Sequence, residues 1–407
     1  MTLRRRATLL AAVLGPGLLA GLSDDDPAGI TTYSVLGAQQ GYRLLWVLVV
    51  STMALVLFHD LGARVGIVTG QGLAGLVRES YGVRRGAMAV SALVIANVGT
   101  TCAEFAGVAA GCELFGVTRY VSVPVAAVAV SILVLRGSFH RIERVLLVLS
   151  AVFVTYVVAG LLAHPDWGGA LHGSIVPSLP RSRQAVALTT ATIGTTLAPW
   201  GLSFIQSYTA DKRLTPEDLR YERADVVTGS ALTGIIGFFV VVLCAATLHA
   251  KGLVIEDAAD AARALQPLAG DLAGRLFGLG LIGAALLAAS ILPLSTAYSV
   301  SEFAGRESAL DDKPREAPLF YCTYAVVTAL GALLILLPGA PLVSILVFTQ
   351  VLNAVLLVPL LGFMYAIARD RAVMGEHVVG RLASTGYIVA IVLISACVVA
   401  LAVLSLP

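Results

Sequence analysis

The sequence predicts an all-helical protein that crosses a membrane many times. Its 407 residues are 58% hydrophobic and 13% charged, with a mean hydropathy of +0.89, whereas soluble domains carry about 25% charged residues. Apolar runs of about 20 residues, long enough to span a bilayer as helices, recur from one end of the chain to the other. Two of these runs contain a proline beside polar or small residues. We therefore expect a polytopic membrane protein in which two of the helices are broken.

Eleven candidate spans follow from these runs, and the loops between them are too short for a soluble domain. We expect a single transmembrane domain over residues 1–407. The first span follows three arginines and so resembles a signal peptide, but the acidic residues directly behind it favour an uncleaved membrane helix. The predicted spans are 7–34, 43–63, 83–112, 120–138, 141–163, 183–209, 223–250, 271–301, 316–338, 341–368 and 383–406.

The distribution of positive charge predicts how the chain is oriented. Most of its 27 Lys and Arg residues fall in loops on the same side as the N-terminus under this span assignment. Because cytoplasmic loops are enriched in Lys and Arg, we expect the N-terminus inside, the C-terminus outside, and a location in the cell membrane. The residues on the predicted inner side are Arg4–Arg6, Arg64, Arg78, Arg84, Arg85, Arg136, Arg141, Arg144, Lys212, Arg213, Arg220, Arg223, Arg306, Lys313, Arg315, Arg369, Arg371 and Arg381.

The first and sixth spans are the broken ones. The first contains DDDPAG at 24–29, and the sixth contains TTLAPWG at 195–201. Proline removes a backbone donor, and unwound backbone at membrane depth is tolerated only inside protein or beside a cavity. The breaks are five spans apart, in corresponding places of two halves, about 7–163 and 183–368, with an extra helix at 383–406. Such a pair indicates an inverted-repeat transporter whose substrate binds near the bilayer midplane.

Six motifs occur in order along the chain: GPGLLAGLSDDDPAG, GYRLLWV, ARVGIVTGQGLAGLVRESYG, TTCAEFAGVAAG, VPSLPRSRQAV and ILVFTQVLNAVLLVPLLGF. They resemble those of the Nramp family of divalent-metal transporters. The resemblance implies a LeuT-like fold with eleven transmembrane helices, two inverted five-helix repeats and one extra helix. It also implies that helices 1 and 6 are broken around the substrate. In the missing ligands described next, the chain resembles the magnesium-transporting branch of the family.

The chain departs from the family pattern at the residues that usually hold the metal. Where the family has Asp-Pro-Gly-Asn, this chain has Asp26-Pro27-Ala28-Gly29, so the Asn ligand is missing. The family's methionine ligand on the sixth helix is Ala198, and the histidine that follows it is Trp200. A carboxylate on the third helix is replaced by Thr101, and a basic pair on the ninth by Cys322 and Thr323.

The remaining donors are oxygen atoms, which suit a hard cation. A thioether favours polarisable transition metals, whereas Mg²⁺ is held by one or two carboxylates and keeps several waters. Ala198 and Gly29 also widen the cavity. We therefore predict a partly hydrated Mg²⁺ as substrate, with Mn²⁺ also accepted. The expected metal-site residues are Asp25, Asp26, Glu104, Thr195 through its carbonyl, Ala198 and Gln350.

Alternatives remain open at individual residues. Adjacent side chains of an unwound segment point in different directions, so we do not expect all three aspartates to face one ion, and Asp24 either lines the route or is solvated. Glu104 either helps neutralise the ion or is a protonated core residue. Gln350 shares a helix face with Asn353, and its alternative role is to join helices. We interpret His59 as boundary polarity at the cytoplasmic end of the second span.

The loss of titratable groups on helices three, six and nine predicts transport without strict proton coupling. The alternative is a proton-coupled Mn²⁺ or Fe²⁺ importer, the usual type in the family. An organic-cation or amino-acid transporter of the same architecture, or a membrane enzyme, fits less well, and we expect no enzymatic activity. The scattered cysteines give no zinc or disulfide pattern. The expected partners are a divalent metal ion and the lipid bilayer, with no cofactor, nucleic acid or obligate protein partner.

Overall fold

The structure is a computed structural model that describes residues 16–136, 154–178, 180, 182–253, 255, 261, 273–306, 313–339 and 341–405. Within those ranges it contains helices and connecting turns and no β-strand. The start of the first predicted span and most of the fifth lie outside the described residues. The α-helices are α1 Pro16–Ser23, α2 Pro27–Gln40, α3 Leu45–Thr69, α4 Leu73–Tyr81, α5 Val83–Glu113, α6 Arg119–Arg136, α7 Val154–Leu162, α8 Trp167–Ile175, α9 Arg183–Thr196, α10 Pro199–Asp211, α11 Leu219–Thr247, α12 Ala273–Phe303, α13 Pro318–Ile335, α14 Leu342–Arg369, α15 Arg371–Met374 and α16 Arg381–Ser405.

Seven helices of the described part are long and apolar enough to cross a membrane, and a shorter apolar helix covers Arg119–Leu135. They agree with the predicted spans to within a few residues, except at the end of α3. That helix was expected to end at residue 63 but continues to Thr69. Two short helices, α4 and α8, also occupy segments that the sequence predicts as loops. The all-helical prediction is confirmed for the described residues.

The first half of the first broken helix, α1, packs directly on α11. A Cβ added at Gly21 would lie 2.5 Å from the carbonyl carbon of Gly229, and one added at Gly17 would lie 2.5 Å from the Val226 nitrogen. Small residues let membrane helices approach this closely, which increases their van der Waals contact. The Thr233 hydroxyl also donates to the Gly21 carbonyl. The two glycines thus bring the backbones of α1 and α11 into contact.

Asp225 fastens the other end of α1 to the same helix. Its Oδ2 accepts hydrogen bonds from the amides of Gly17, at 2.7 Å, and Leu18, at 3.2 Å. Hydrogen bonds from N–H groups to a carboxylate are stronger than those to a neutral acceptor. Asp225 is fully buried, so a carboxylate of α11 binds two amides of α1. We refer to these two bonds as the cap on α1.

Candidate metal site

The first break is the segment Asp24–Asp26 between α1 and α2. A helix carbonyl normally accepts from the amide four residues later, and the residue four after Ser23 is Pro27, which has no N–H. Asp26 then restarts the helix as its N-cap, because its Oδ1 accepts from the Gly29 amide at 2.5 Å. Pro27 follows at the first helical position, where proline is tolerated. The local sequence therefore both ends one helix and starts the next.

The second break lies at Leu197 and Ala198, between α9 and α10. Here the residue four after Thr195 is Pro199, so the Thr195 carbonyl loses its usual helical donor. Ala198 occupies the N-cap position of α10 and makes no side-chain capping bond. It is 3% exposed. The second break therefore has a buried backbone but presents only a methyl group where the first presents carboxylates.

The two breaks meet inside the protein. A Cβ placed on Gly29 would lie 3.0 Å from the Thr195 hydroxyl and 2.9 Å from the Asp24 carbonyl oxygen. One turn further along α2, the Tyr33 and Thr196 hydroxyls are hydrogen-bonded at 2.9 Å. Residue 29 therefore has to be small for the breaks to touch. The sequence motifs 24–29 and 195–201, about 170 residues apart, form one local structure.

Glu104 reaches this structure from α5. The ring of Pro27 lies against the Cα of Gly107, at a distance that leaves no room for a Cβ. Glu104 is one turn earlier on α5, is fully buried, and its carboxyl group interacts with that of Asp26. Neither Glu104 oxygen has a hydrogen-bond partner of ordinary geometry among the described residues. The packing of proline on glycine thus brings a second carboxyl group to Asp26.

The three aspartates point in different directions, as adjacent residues of an unwound segment should. Asp26 bonds to the start of α2 and faces Glu104. The Asp25 carboxyl interacts electrostatically with the Tyr33 hydroxyl. Asp24 faces α3 and α10, where its Oδ2 lies 3.9 Å from His59 Nε2. Asp24 is only 1% exposed, so the solvated alternative considered for it is wrong.

His59 is not boundary polarity, because it is fully buried beside Asp24. The prediction failed because α3 continues to Thr69, which places His59 about 15 Å from the end of the helix. Its neighbour Asp60 lies on another face of α3 and forms ion pairs of 2.8 Å with both Arg64 and Arg223. A longer predicted span would have placed His59 at membrane depth.

Gln350 lies on α14, and the hydrogen bonds that its side chain makes in the described part of the chain go to neighbours on its own helix. Its Nε2 donates to the Thr349 hydroxyl at 3.2 Å, and its Oε1 accepts from Asn353 at 3.0 Å. Asn353 in turn donates to the Thr100 hydroxyl on α5 at 3.1 Å. These bonds join α14 to α5, the alternative role considered for this residue. A metal-binding role for Gln350 stays a prediction for another conformation.

The replaced family positions are also visible. Thr101 is fully buried, and its hydroxyl donates to the Asn97 carbonyl at 2.7 Å. Trp200 is fully buried in the first turn of α10, whereas Cys322 is exposed on α13. Over the part of the chain that the structure describes, no three His, Cys, Asp or Glu side chains are grouped so as to hold a metal ion. An ion at the breaks would therefore need backbone carbonyls and water in addition to carboxylates.

Solved structures with this architecture include a manganese transporter and a protein in complex with L-phenylalanine. The manganese transporter of Eremococcus coleocola, in complex with an aromatic bis-isothiourea substituted compound, superposes with a TM-score of 0.80 at 18% identity, covering 98% of this chain and 87% of that one. MhsT in complex with L-phenylalanine superposes with a TM-score of 0.66 at 14% identity, covering 96% and 97%. These likenesses confirm the LeuT-like fold.

Two sequence relatives are named divalent metal cation transporter MntH. The protein from Aeromonas hydrophila subsp. hydrophila is 30% identical over 378 residues, which is 90% of this chain and 89% of that protein. The protein from Burkholderia ambifaria is 29% identical over 391 residues, 92% and 85% of the two chains. The family described as Natural resistance-associated macrophage protein-like matches residues 17–404. Because that match covers nearly the whole described sequence, the chain belongs to the Nramp family.

Proposed function

We propose that this protein is a membrane transporter for divalent metal cations, with Mg²⁺ as its main substrate and Mn²⁺ also accepted. The ion would bind at the two helix breaks, partly hydrated, and cross by alternating access. Asp25 and Asp26 would be its carboxylate ligands, and the Thr195 carbonyl an uncharged one. Glu104 would help neutralise the charge of the ion, and Ala198 would leave room for its bound water. Gln350 would contact the ion in an occluded state. Membership of a family of multi-pass metal transporters supports the general function.

The observation that carries the choice of ion is the chemistry of the second break. Its N-cap position holds Ala198, whose methyl group offers no thioether where Gly29 meets Thr195. The side chains gathered there, from Asp25, Asp26 and Glu104, offer only oxygen. Oxygen ligands with retained water suit Mg²⁺ and other hard ions, whereas sulfur would favour softer ones.

Burial of the carboxylates supports a cation as the substrate. Asp25, Asp26 and Glu104 are each 2% exposed or less. The oxygens of Asp25 have no hydrogen-bond partner within the described ranges, and the Glu104 carboxyl faces another carboxyl group, that of Asp26. A buried ionised group is costly unless it is paired or coordinates a metal, so a divalent ion would stabilise this arrangement.

We propose further that transport is not strictly coupled to protons. Trp200, Thr101 and Cys322 cannot exchange protons in the way that the family's histidine, carboxylate and basic residue can. The membrane potential alone is adequate, because a divalent ion gains about 4.6 kcal/mol across 100 mV. That energy corresponds to a concentration ratio of about three orders of magnitude. For the membrane potential to drive uptake we place the N-terminus in the cytoplasm, as the distribution of Lys and Arg predicts.

The alternative is a proton-coupled Mn²⁺ or Fe²⁺ importer. It is supported by the relatives that carry the name divalent metal cation transporter and by the likeness to a manganese transporter. The absence of a methionine at position 198 argues against it.

Uptake into proteoliposomes tests the proposal. Mg²⁺ entry driven by a membrane potential should be saturable, should be inhibited by Mn²⁺, and should be lost in Asp26→Ala. A pH-sensitive dye inside the vesicles should report no acidification in step with Mg²⁺ entry. Failure of Mg²⁺ either to enter or to compete with Mn²⁺ would overturn the choice of ion. Stoichiometric acidification would instead favour the proton-coupled alternative.

A further inference from the structure

We propose that Asp24 and His59 form a second metal-binding site, selective for late first-row transition ions such as Co²⁺ and Zn²⁺. The pair lies beside the proposed Mg²⁺ site but on another side of the first break. The inference rests on the proposed function only in that the pathway must admit divalent ions. Its ligand chemistry is different, because it includes nitrogen.

Both side chains are buried and available to a ligand. Asp24 is 1% exposed and His59 is fully buried. Neither the Asp24 carboxylate oxygens nor the His59 ring nitrogens have a hydrogen-bond partner in the described part of the chain. Buried polar side chains are normally satisfied, so two unsatisfied side chains facing each other require an explanation. A shared ligand provides one.

The geometry fits a single small cation. Asp24 Oδ2 and His59 Nε2 are 3.9 Å apart, too far for a hydrogen bond between them. Metal–ligand distances for zinc are about 2.0–2.2 Å to both nitrogen and oxygen. One ion placed between the two atoms can therefore contact both at normal distances without moving either side chain.

Besides Asp24 and His59, the site is bordered by Gly201 on α10. A Cβ added there would lie 3.1 Å from Asp24 Oδ1 and 3.4 Å from His59 Nε2. A glycine at this position therefore leaves room next to both donor atoms, where any other residue would place a methyl group. The site is thus built from the first break, α3 and α10, and an ion in it would complete its coordination with water.

The donor types determine which ions bind. A neutral imidazole has one nitrogen lone pair and is the commonest protein ligand for transition metals. Mg²⁺ prefers oxygen and gives up its water reluctantly, whereas affinity at mixed nitrogen and oxygen sites rises from Mn²⁺ towards Cu²⁺. The Asp24–His59 site therefore binds late transition ions more tightly than it binds Mg²⁺. It adds a nitrogen donor to a chain that has lost the sulfur donor at position 198.

Pulsed electron paramagnetic resonance of Co²⁺ bound to the purified full-length protein tests this site. Excess Mg²⁺ is present so that it occupies the oxygen site. We expect coupling of the bound Co²⁺ to a ¹⁴N nucleus in the wild type. In His59→Gln the coupling should vanish and Co²⁺ affinity should fall at least about tenfold, while Mg²⁺ uptake persists. The control, His249→Gln just after the end of α11, should keep both the coupling and the affinity.

The wild-type measurement alone can overturn the proposal. Absence of nitrogen coupling in the wild type, or its persistence in His59→Gln, would rule out His59 as a ligand. If His59→Gln does not fold, as judged by lost Mg²⁺ uptake, Gly201→Ala takes its place, and unchanged Co²⁺ binding in that variant would contradict the site. Loss of Mg²⁺ uptake in the wild type would instead count against the proposed function and leave the nitrogen signal as evidence for this site.

Discussion

Asp225 should control whether the half-helix α1 stays docked on α11. Its carboxylate accepts from the amides of Gly17 and Leu18, at 2.7 and 3.2 Å. Hydrogen bonds to a charged group contribute about 1.5–3 kcal/mol each, and neutral ones about 0.5–1.5 kcal/mol. Asp225→Asn keeps an acceptor oxygen but removes the charge, so two bonds lose together about 2 kcal/mol. That loss corresponds to an increase of about 30-fold in the undocked population of α1.

The expected mechanism is local opening of the segment 17–23 away from α11, without global unfolding. Hydrogen–deuterium exchange, followed by mass spectrometry on peptides covering residues 17–23, measures that opening directly. Exchange should accelerate by about the same 30-fold factor in Asp225→Asn, and by more in Asp225→Ala.

Glu222→Gln is the matched control. Glu222 is buried on the same helix, one turn before Asp225, and the structure gives it no hydrogen bond to α1. Its substitution should leave exchange at residues 17–23 unchanged. If Asp225→Asn and Glu222→Gln accelerate exchange equally, the cap is not what holds α1, and the reasoning from these bonds is refuted.

Three further substitutions probe the site and its supports. Ala198→Met places a thioether at the second break and should raise Cd²⁺ affinity at least about tenfold in calorimetry; unchanged affinity would mean that position 198 does not face the ion. Asp26→Asn keeps the capping acceptor and should abolish Mg²⁺ uptake with little loss of stability, whereas Asp26→Ala should also lower stability by about 1 kcal/mol; equal melting temperatures would argue against the cap. Gly229→Ala inserts a methyl group against the backbone of α1 and should destabilise the protein by about 1–3 kcal/mol. The loss should appear as a lower melting temperature in detergent. Gly362→Ala is the control, because no atom lies within 4 Å of a Cβ added there.

The broken helices and the divergence of the three aspartates could be predicted from the sequence because their causes are local. Pro27 and Pro199 remove donors at fixed offsets from Ser23 and Thr195, and an unwound backbone turns successive side chains apart. The sequence also placed most spans correctly, since apolar runs of membrane length are unambiguous.

His59 and Asp225 could not be placed in this way. Assigning His59 depended on the end of α3, and an error of six residues moved it from the core to the boundary. The cap on α1 joins Asp225 to amides more than 200 positions earlier in the chain, and no local pattern indicates such a partner. Gln350 shows the same limit, because its hydrogen bonds to Thr349 and Asn353 depend on how α14 packs against α5.

The contact between Pro27 and Gly107 means that the preference of the proposed site for ions of a given size could be changed without changing a ligand. Pro27 adjoins Asp26, and Gly107 is one turn from Glu104, so the depth of this contact sets the separation between the two carboxyl groups. Any side chain at position 107 would push the first break away from α5 and widen the gap that an ion must bridge. Evolution, or an engineer, could therefore alter selectivity by varying the volume of a residue that never touches the substrate.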